Sequence, residues 1–165
     1  MNGLKKPRRP RWPASPLAHE SACHKVRTFS PEEAAELSNQ THLAWDSLIN
    51  GRGTTVDFDT VATSLNAALV LCEPIGQDAV DVVIRAQMAA VAMQSRYHRT
   101  GTFGADATAL ADVPPGLFLY DQLLGFSNPL QMVRAVRASL ERIENGDVLA
   151  PARPPATTTR TGEKA

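Results

Sequence analysis

The chain has no cysteine framework and no C-x-x-C pair. Its two cysteines, Cys23 and Cys72, stand far apart, which excludes a disulfide scaffold and fits a reduced, cytoplasmic setting. Aromatic side chains are scarce, at 5% of 165 residues. Long apolar runs are missing too: Ala67 to Cys72 is far short of the roughly 20 apolar residues a bilayer demands, and no such run follows the basic opening, so neither a membrane span nor a secretory signal is expected. The sequence holds no G-x-x-x-x-G-K-[ST], no strand-linked G-x-G-x-x-G, no G-x-S-x-G and no H-E-x-x-H. These absences point away from nucleotide hydrolysis, dinucleotide chemistry, serine hydrolysis and zinc proteolysis, and no cofactor or metal is expected.

Net charge is also zero overall, but it is strongly segregated. Residues 1–30 carry seven Lys or Arg against Glu20, residues 31–147 carry seven Arg against fifteen acids, and residues 148–165 carry three basic residues against one acid. A basic opening and a basic end therefore flank an acidic middle of net charge −8. The opening places Pro7, Pro10, Pro13 and Pro16 among Lys5, Lys6, Arg8, Arg9 and Arg11. Prolines withhold backbone donors and like charges repel, so 1–29 reads as a disordered basic arm. Two uses stand for it. The preferred one is a solvated or electrostatically tethered tail; the other is a nucleic-acid contact, with Lys5, Lys6, Arg8, Arg9 and Arg11 along phosphates and Trp12 stacked on an unpaired base of DNA or RNA. The end, 148–165, is rich in Pro and Thr and has no apolar face, so it also reads as disordered.

Between these ends the periodicity is helical. The central stretch is Thr54 to Ile75, where Phe58, Val61, Ala62, Leu65, Ala68, Leu69 and Cys72 trace one stripe of a 3.6-residue helix. Thr54 with Asp57 makes a weak variant of the capping box, and Pro74 with Gly76 stops the helix. Val70 and Leu71 widen the stripe, predicting burial on more than one side. Upstream, Ser30, Pro31, Glu32 and Glu33 form the clearest helix start, followed by Leu37, Thr41, Ala44 or Trp45, and Leu48 up to the Asn50-Gly51-Arg52-Gly53 turn. The polar run Ser38 to Thr41 leaves one helix or two short ones open.

Downstream, Asp78 to Thr100 predicts a helix apolar nearly all round between Ala79 and Met93, hence buried, with Asp81 and Arg85 as an i,i+4 pair. Ala86, Ala89, Ala90 and Ala92 allow close helix approach, within one chain by preference or across a homo-oligomer face. Asp106 caps a short helix to Asp112, Pro114-Pro115 is expected to break it, and a new helix runs from about Gly116 to Phe126 with Leu117, Tyr120, Leu123 and Leu124 inward. Asn128-Pro129 opens a last helix whose strip is Met132 or Val133, Val136, Leu140 and Ile143, ending at Asn145-Gly146. The fold expected is all-α, one small antiparallel bundle of four to six helices over 30–147.

Candidate chemistry is thin. Arg96, His98 and Arg99, beside the Gly101-Thr102-Phe103-Gly104 loop, either close a helix end against its dipole or form an anion site; the first is preferred. His19, Glu20, Cys23 and His24 are metal-capable but sit in the arm, without the ordered four-ligand framework of a structural zinc site. Cys72 lies on the apolar stripe and reads as a small hydrophobe. His42, near Trp45 and Asp46, reads as a boundary residue, and Asp57 with Asp59 or Glu141 with Glu144 as solvated faces.

The segments Leu48-Ile49-Asn50-Gly51-Arg52-Gly53-Thr54, Ala67-Ala68-Leu69-Val70, Arg99-Thr100-Gly101-Thr102-Phe103-Gly104 and Tyr120-Asp121-Gln122-Leu123-Leu124 resemble small uncharacterised helical proteins encoded in phages, prophages and other mobile elements of proteobacteria. The likeness covers about residues 41–149 and transfers no functional residue. It implies an accessory role, through contact with a host or element-encoded protein or with nucleic acid. Together these readings lead to a non-enzymatic helical accessory or regulatory protein acting through protein contact, with nucleic-acid association through the arm as the alternative.

Overall fold

A computed structural model describes residues 27–147, and among these the chain forms five helices and no strand. They are α1 (Pro31–Ile49), α2 (Thr55–Cys72), α3 (Gln77–Thr100), α4 (Ala107–Phe126) and α5 (Pro129–Glu144). Short connections at 50–54, 73–76 and 101–106 fold contacting helices back on one another, the geometry of an antiparallel bundle, while 127–128 leads from α4 into α5, which packs on α2. Helix α2 touches all four of the others. Phe58, Val61, Leu65, Ala68 and Cys72 of its stripe are buried and Ala62 and Leu69 half-buried, with Ser64 and Ala67 added on the inside.

Four of the five helix starts are closed by a side-chain cap, and α3, which begins after Gly76, has none. Ser30 Oγ accepts from the Glu33 N–H at 3.2 Å, while Glu33 Oε2 accepts from the Ser30 N–H at 2.8 Å. Arg27 then forks onto the Glu33 carboxylate at 2.8 and 2.9 Å, and these donors hold its pKa below the usual glutamate value, Arg27 first. At Thr54 the box is complete: Asp57 Oδ2 accepts from both the Thr54 N–H, at 2.7 Å, and its hydroxyl, at 2.8 Å. Asn128 and Gln131 make a third reciprocal box at α5, in which the Gln131 half went unread in the sequence.

Helix α1 is continuous through Ser38 to Thr41. Thr41 is buried because both valences of its hydroxyl are used, toward Leu37 O at 3.1 Å and Ser64 Oγ of α2 at 2.9 Å. After α1, Gly53 passes so close that a Cβ there would lie 2.6 Å from Leu48 Cδ2 and 2.8 Å from Leu48 Cα, so only glycine fits.

Three expectations are corrected. First, α4 does not break at Pro114-Pro115 but runs unbroken through both. The missing N–H groups deprive the Leu110 and Ala111 carbonyls of their helical donors, at a cost of roughly 3 kcal/mol or more for an interior proline. Packing outweighs this: Val113 and Leu117 on either side are fully buried, and at Gly116 an added Cβ would lie 2.6 Å from Ala86 Cβ of α3. Second, α3 is not buried all round. Val83, Ala86, Gln87, Ala89, Ala90 and Met93 face inward, but Met88 and Ala92 are exposed, because α3 lies at the outside of a five-helix bundle with neighbours on one side only. On the same helix Asp81 accepts from Gln77 Nε2 at 2.7 Å instead of pairing with Arg85.

Third, the α5 strip does not point into the core. Ala135 and Ser139 are its buried residues, and Met132 and Val136 are half-buried. Val133 is 63%, Leu140 53% and Ile143 47% exposed. Small residues let α5 sit close on α2, which turns the larger apolar side chains out to the flank.

Candidate functional site

Arg96 does not stand free for an anion. Its Nη1 is 2.6 Å from Asp106 Oδ2, and its Nη2 donates to Gly104 O at 3.4 Å, so it clamps the 101–106 loop. Asp106 is at the same time the N-cap of α4, accepting from the Ala109 N–H at 2.9 Å. That backbone donor first, and Arg96 after it, hold the Asp106 carboxyl below the usual aspartate range. His98 and Arg99 are exposed in the last turn of α3, ahead of Gly101 in the left-handed region at φ 75°, the arrangement that complements a helix dipole. The loop is not slack either: Phe103 is 3% exposed and lies between Tyr97, at 4.1 Å and 5° between ring planes, and Phe58, at 5.4 Å and 9°. Arg96, His98 and Arg99 thus share a helix end without converging on a common point.

His42 has a partner that no sequence spacing announces. Its Nε2 lies 2.8 Å from Asp121 Oδ2, 79 residues away, and joins α1 to α4. The second oxygen, Asp121 Oδ1, is buried and has no hydrogen-bond partner among the described residues. Nearby in sequence, Tyr120 is buried, which raises its phenol pKa, with the Ser64 and Thr41 hydroxyls acting the other way. Ser64 Oγ is committed to Thr41 and to Thr60 O at 3.0 Å, and no hydrogen bond joins it to His42. The pair is a histidine–carboxylate contact without a nucleophile. Cys72 is fully buried, and burial raises its thiol pKa, so the thiolate is disfavoured there.

A cleft of about 400 Å³ is lined by α2, α3 and α5. Phe58, Ala62, Leu65 and Leu69 come from α2, Ala90 and Val91 from α3, and Ile143 from α5. Polar groups are few and neutral for the most part: Asn66, Gln87, Gln94 and Ser139, with Arg142 and Asp147 besides. Arg142 is engaged with Glu73 at 2.6 Å, and Ser139 Oγ donates to Val136 O at 2.7 Å. Gln87 Nε2 donates to Asn66 Oδ1 at 2.8 Å, a link between α3 and α2. Among the described residues the lining holds no cysteine and no histidine, and the volume is that of a small-molecule pocket. Sequence reasoning missed the cleft, because Asn66, Gln87 and Ile143 belong to three helices; the one hint was Gln87 as a polar residue in an apolar helix.

Lys5, Lys6, Arg8, Arg9, Arg11 and Trp12, the arm residues assigned to nucleic acid, lie outside the described residues, as do His19, Glu20, Cys23 and His24. Among the described residues no three His, Cys, Asp or Glu side chains gather as a metal would require, and no helix is long and apolar enough to cross a membrane. No family model, no curated protein and no solved structure matches the chain.

Proposed function

We propose that the protein is a non-enzymatic helical accessory or regulatory protein of a phage or other mobile element, cytoplasmic, acting by contact with another protein through the outward flank of α5. The observation that supports it is the exposure of Val133, Leu140 and Ile143. Seven and three residues apart, they occupy one face of an amphipathic helix at the spacing of a core strip. Single exposed apolar residues are ordinary; an aligned set on one helix is the form that helix-mediated docking takes. The seven-residue acid excess of the described part, fifteen acids against eight arginines over 27–147, favours a partner with a basic rim.

Photo-crosslinking in the native host tests this, with p-benzoylphenylalanine at 133, at 140 and, as a control away from the strip, at 141. One crosslinked polypeptide from 133 and 140 but none from 141 is the expected result, and a product of twice the chain's mass identifies a second copy as the partner. Equal products from all three positions, or none from any, overturn the reading.

The charge segregation supports a second reading, association of DNA or RNA with the arm. It predicts salt-sensitive anisotropy on a labelled single strand, lost when Lys5, Lys6, Arg8, Arg9 and Arg11 are all changed to Ser. Binding that ignores salt, or survives those changes, rules it out.

A further inference from the structure

Of the five helices, α4 alone has no charged side chain on its exposed side. Glu36 on α1, Asp59 on α2, Asp81 on α3 and Arg137 on α5 are exposed, whereas the charged residues of α4, Asp112 and Asp121, are half-buried, and Asp121 Oδ2 is met by His42 Nε2 at 2.8 Å. Leu110, Pro114, Phe118, Gln122 and Phe126 are all exposed, and their spacing of four makes them a single i,i+4 ridge about 24 Å long. Leu110 is 52%, Phe118 63% and Phe126 84% exposed. The opposite side of the helix, with Val113, Leu117, Tyr120 and Leu124, is already spent on the core. Two rings and a leucine aligned over four turns are more than the scattered apolar residues of an ordinary surface.

The two halves of this ridge complement each other. Phe118 stands eight residues from Leu110 on one side and eight from Phe126 on the other, so a twofold axis beside Phe118 sets Leu110 against Phe126 of a second copy, twice, and Pro114 against Gln122. Ahead of Pro114 and Pro115 the Leu110 and Ala111 carbonyls have lost their helical donors. The Gln122 carboxamide makes no hydrogen bond among the described residues, and its N–H groups are the donors those carbonyls lack. Charge selects the same occupant. Residues 27–147 hold fifteen acids against eight arginines, so copies repel where charged faces meet, and on the outward side of α4 they meet without opposing like charges.

We propose that this face is the contact between two copies of the chain, an isologous dimer in which the α4 ridges pack against each other at about −50° with Phe118 at the centre. Gln122 of each copy donates to the open carbonyls ahead of Pro114 in the other. A helix pair of this length covers roughly 500 Å² a side, at the low end of specific interfaces, so the dimer dissociates on dilution. The face shares no residue with the α5 flank.

Sedimentation velocity of the full chain tests this, at protomer concentrations from about 1 to about 200 µM. A monomer–dimer equilibrium is expected. Phe118→Glu sets a carboxylate against its own mate and should weaken the dimer at least about tenfold, while Met88→Glu, on the outside of α3, leaves it unchanged. Leu110→Glu and Phe126→Arg each weaken it alone, and an equimolar mixture of the two recovers a dimer, because the register brings the new charges together. Circular dichroism checks that each variant keeps its helices; should Phe118→Glu lose them, the Leu110→Glu and Phe126→Arg pair decides. A monomer at every concentration, a dimer that Phe118→Glu leaves intact, an equal loss in Met88→Glu, or a mixture that stays monomeric overturns the proposal.

Discussion

Removing the Phe103 ring is the sharpest perturbation of this fold, because a loop residue between two glycine-containing turns is ordinarily dispensable. Here the ring is 3% exposed and stacked between Tyr97 and Phe58, so it bolts the α3–α4 connection to the start of α2. Truncating a buried phenylalanine costs about 3–5 kcal/mol in transfer and cavity terms, and the two ring contacts place Phe103→Ala in the middle of that range, at about 4 kcal/mol. For a chain of this size 1 kcal/mol moves the melting temperature by roughly 4 °C, so Phe103→Ala should melt about 16 °C below the wild type. Phe103→Leu, which keeps most of the volume and loses the stacking, should lose about a third as much. Circular dichroism at 222 nm during heating, with urea midpoints alongside, measures both. A loss below about 3 °C for the alanine variant would show that the loop is not pinned and that the clamp reasoning is wrong.

Gly116→Ala sets a Cβ 2.6 Å from Ala86 Cβ. Overpacking of about 1–3 kcal/mol should outweigh the propensity gain of alanine over glycine in a helix, and Ala86→Gly should restore part of the urea midpoint. Gln87→Leu removes the stranded amide oxygen and should leave the melting temperature unchanged or raise it; a fall of several degrees would mean that the Asn66 hydrogen bond outweighs the orphan. Glu33, Asp57 and Asp106 all have carboxyl pKa values lowered in the folded state, by Arg27 at Glu33 and by backbone donors at Asp57 and Asp106. Their stabilising contribution is therefore full above the unfolded carboxyl pKa, about 4, and is lost as pH falls through the lower folded values. The urea midpoint should drop between pH 6 and pH 3, and it should drop less in Asp57→Asn; an unchanged pH dependence in that variant would separate the cap from the acid sensitivity. Asp106→Ala removes the α4 cap and the Arg96 contact together, and should lower stability by about 1 kcal/mol, whereas Asp106→Asn retains the cap and loses the ionic part.

The features legible in the sequence were those decided within three or four residues. Ser30 with Glu33, Thr54 with Asp57, Asn128 with Pro129, and Gly101 after a cationic turn each act on backbone groups of their own helix, so residue type and spacing suffice to find them. The α2 stripe was legible for the same reason, since a core helix shows its period wherever it is placed. Legibility failed where the outcome depended on a second element. His42 meets Asp121 only because α1 and α4 pack together, and Gln87 meets Asn66 only because α3 crosses α2. Neither pairing has a counterpart in the periodicity of either helix.

By itself, then, the sequence determined helix identity, the caps, the turns and the centrality of Thr55–Cys72, all matters of short-range hydrogen bonding and apolar spacing. Only the tertiary structure decided that α4 continues through Pro114 and Pro115, that the apolar strip of α5 faces outward, and that three helices leave a cleft with an unsatisfied glutamine on its wall. The reason is one of scale. A proline's lost hydrogen bond or a leucine's preference for burial is worth a few kcal/mol, and packing against Ala86 and Leu65 at Gly116, or against α2 at Ala135 and Ser139, is of the same order, so the balance is struck between helices rather than within them.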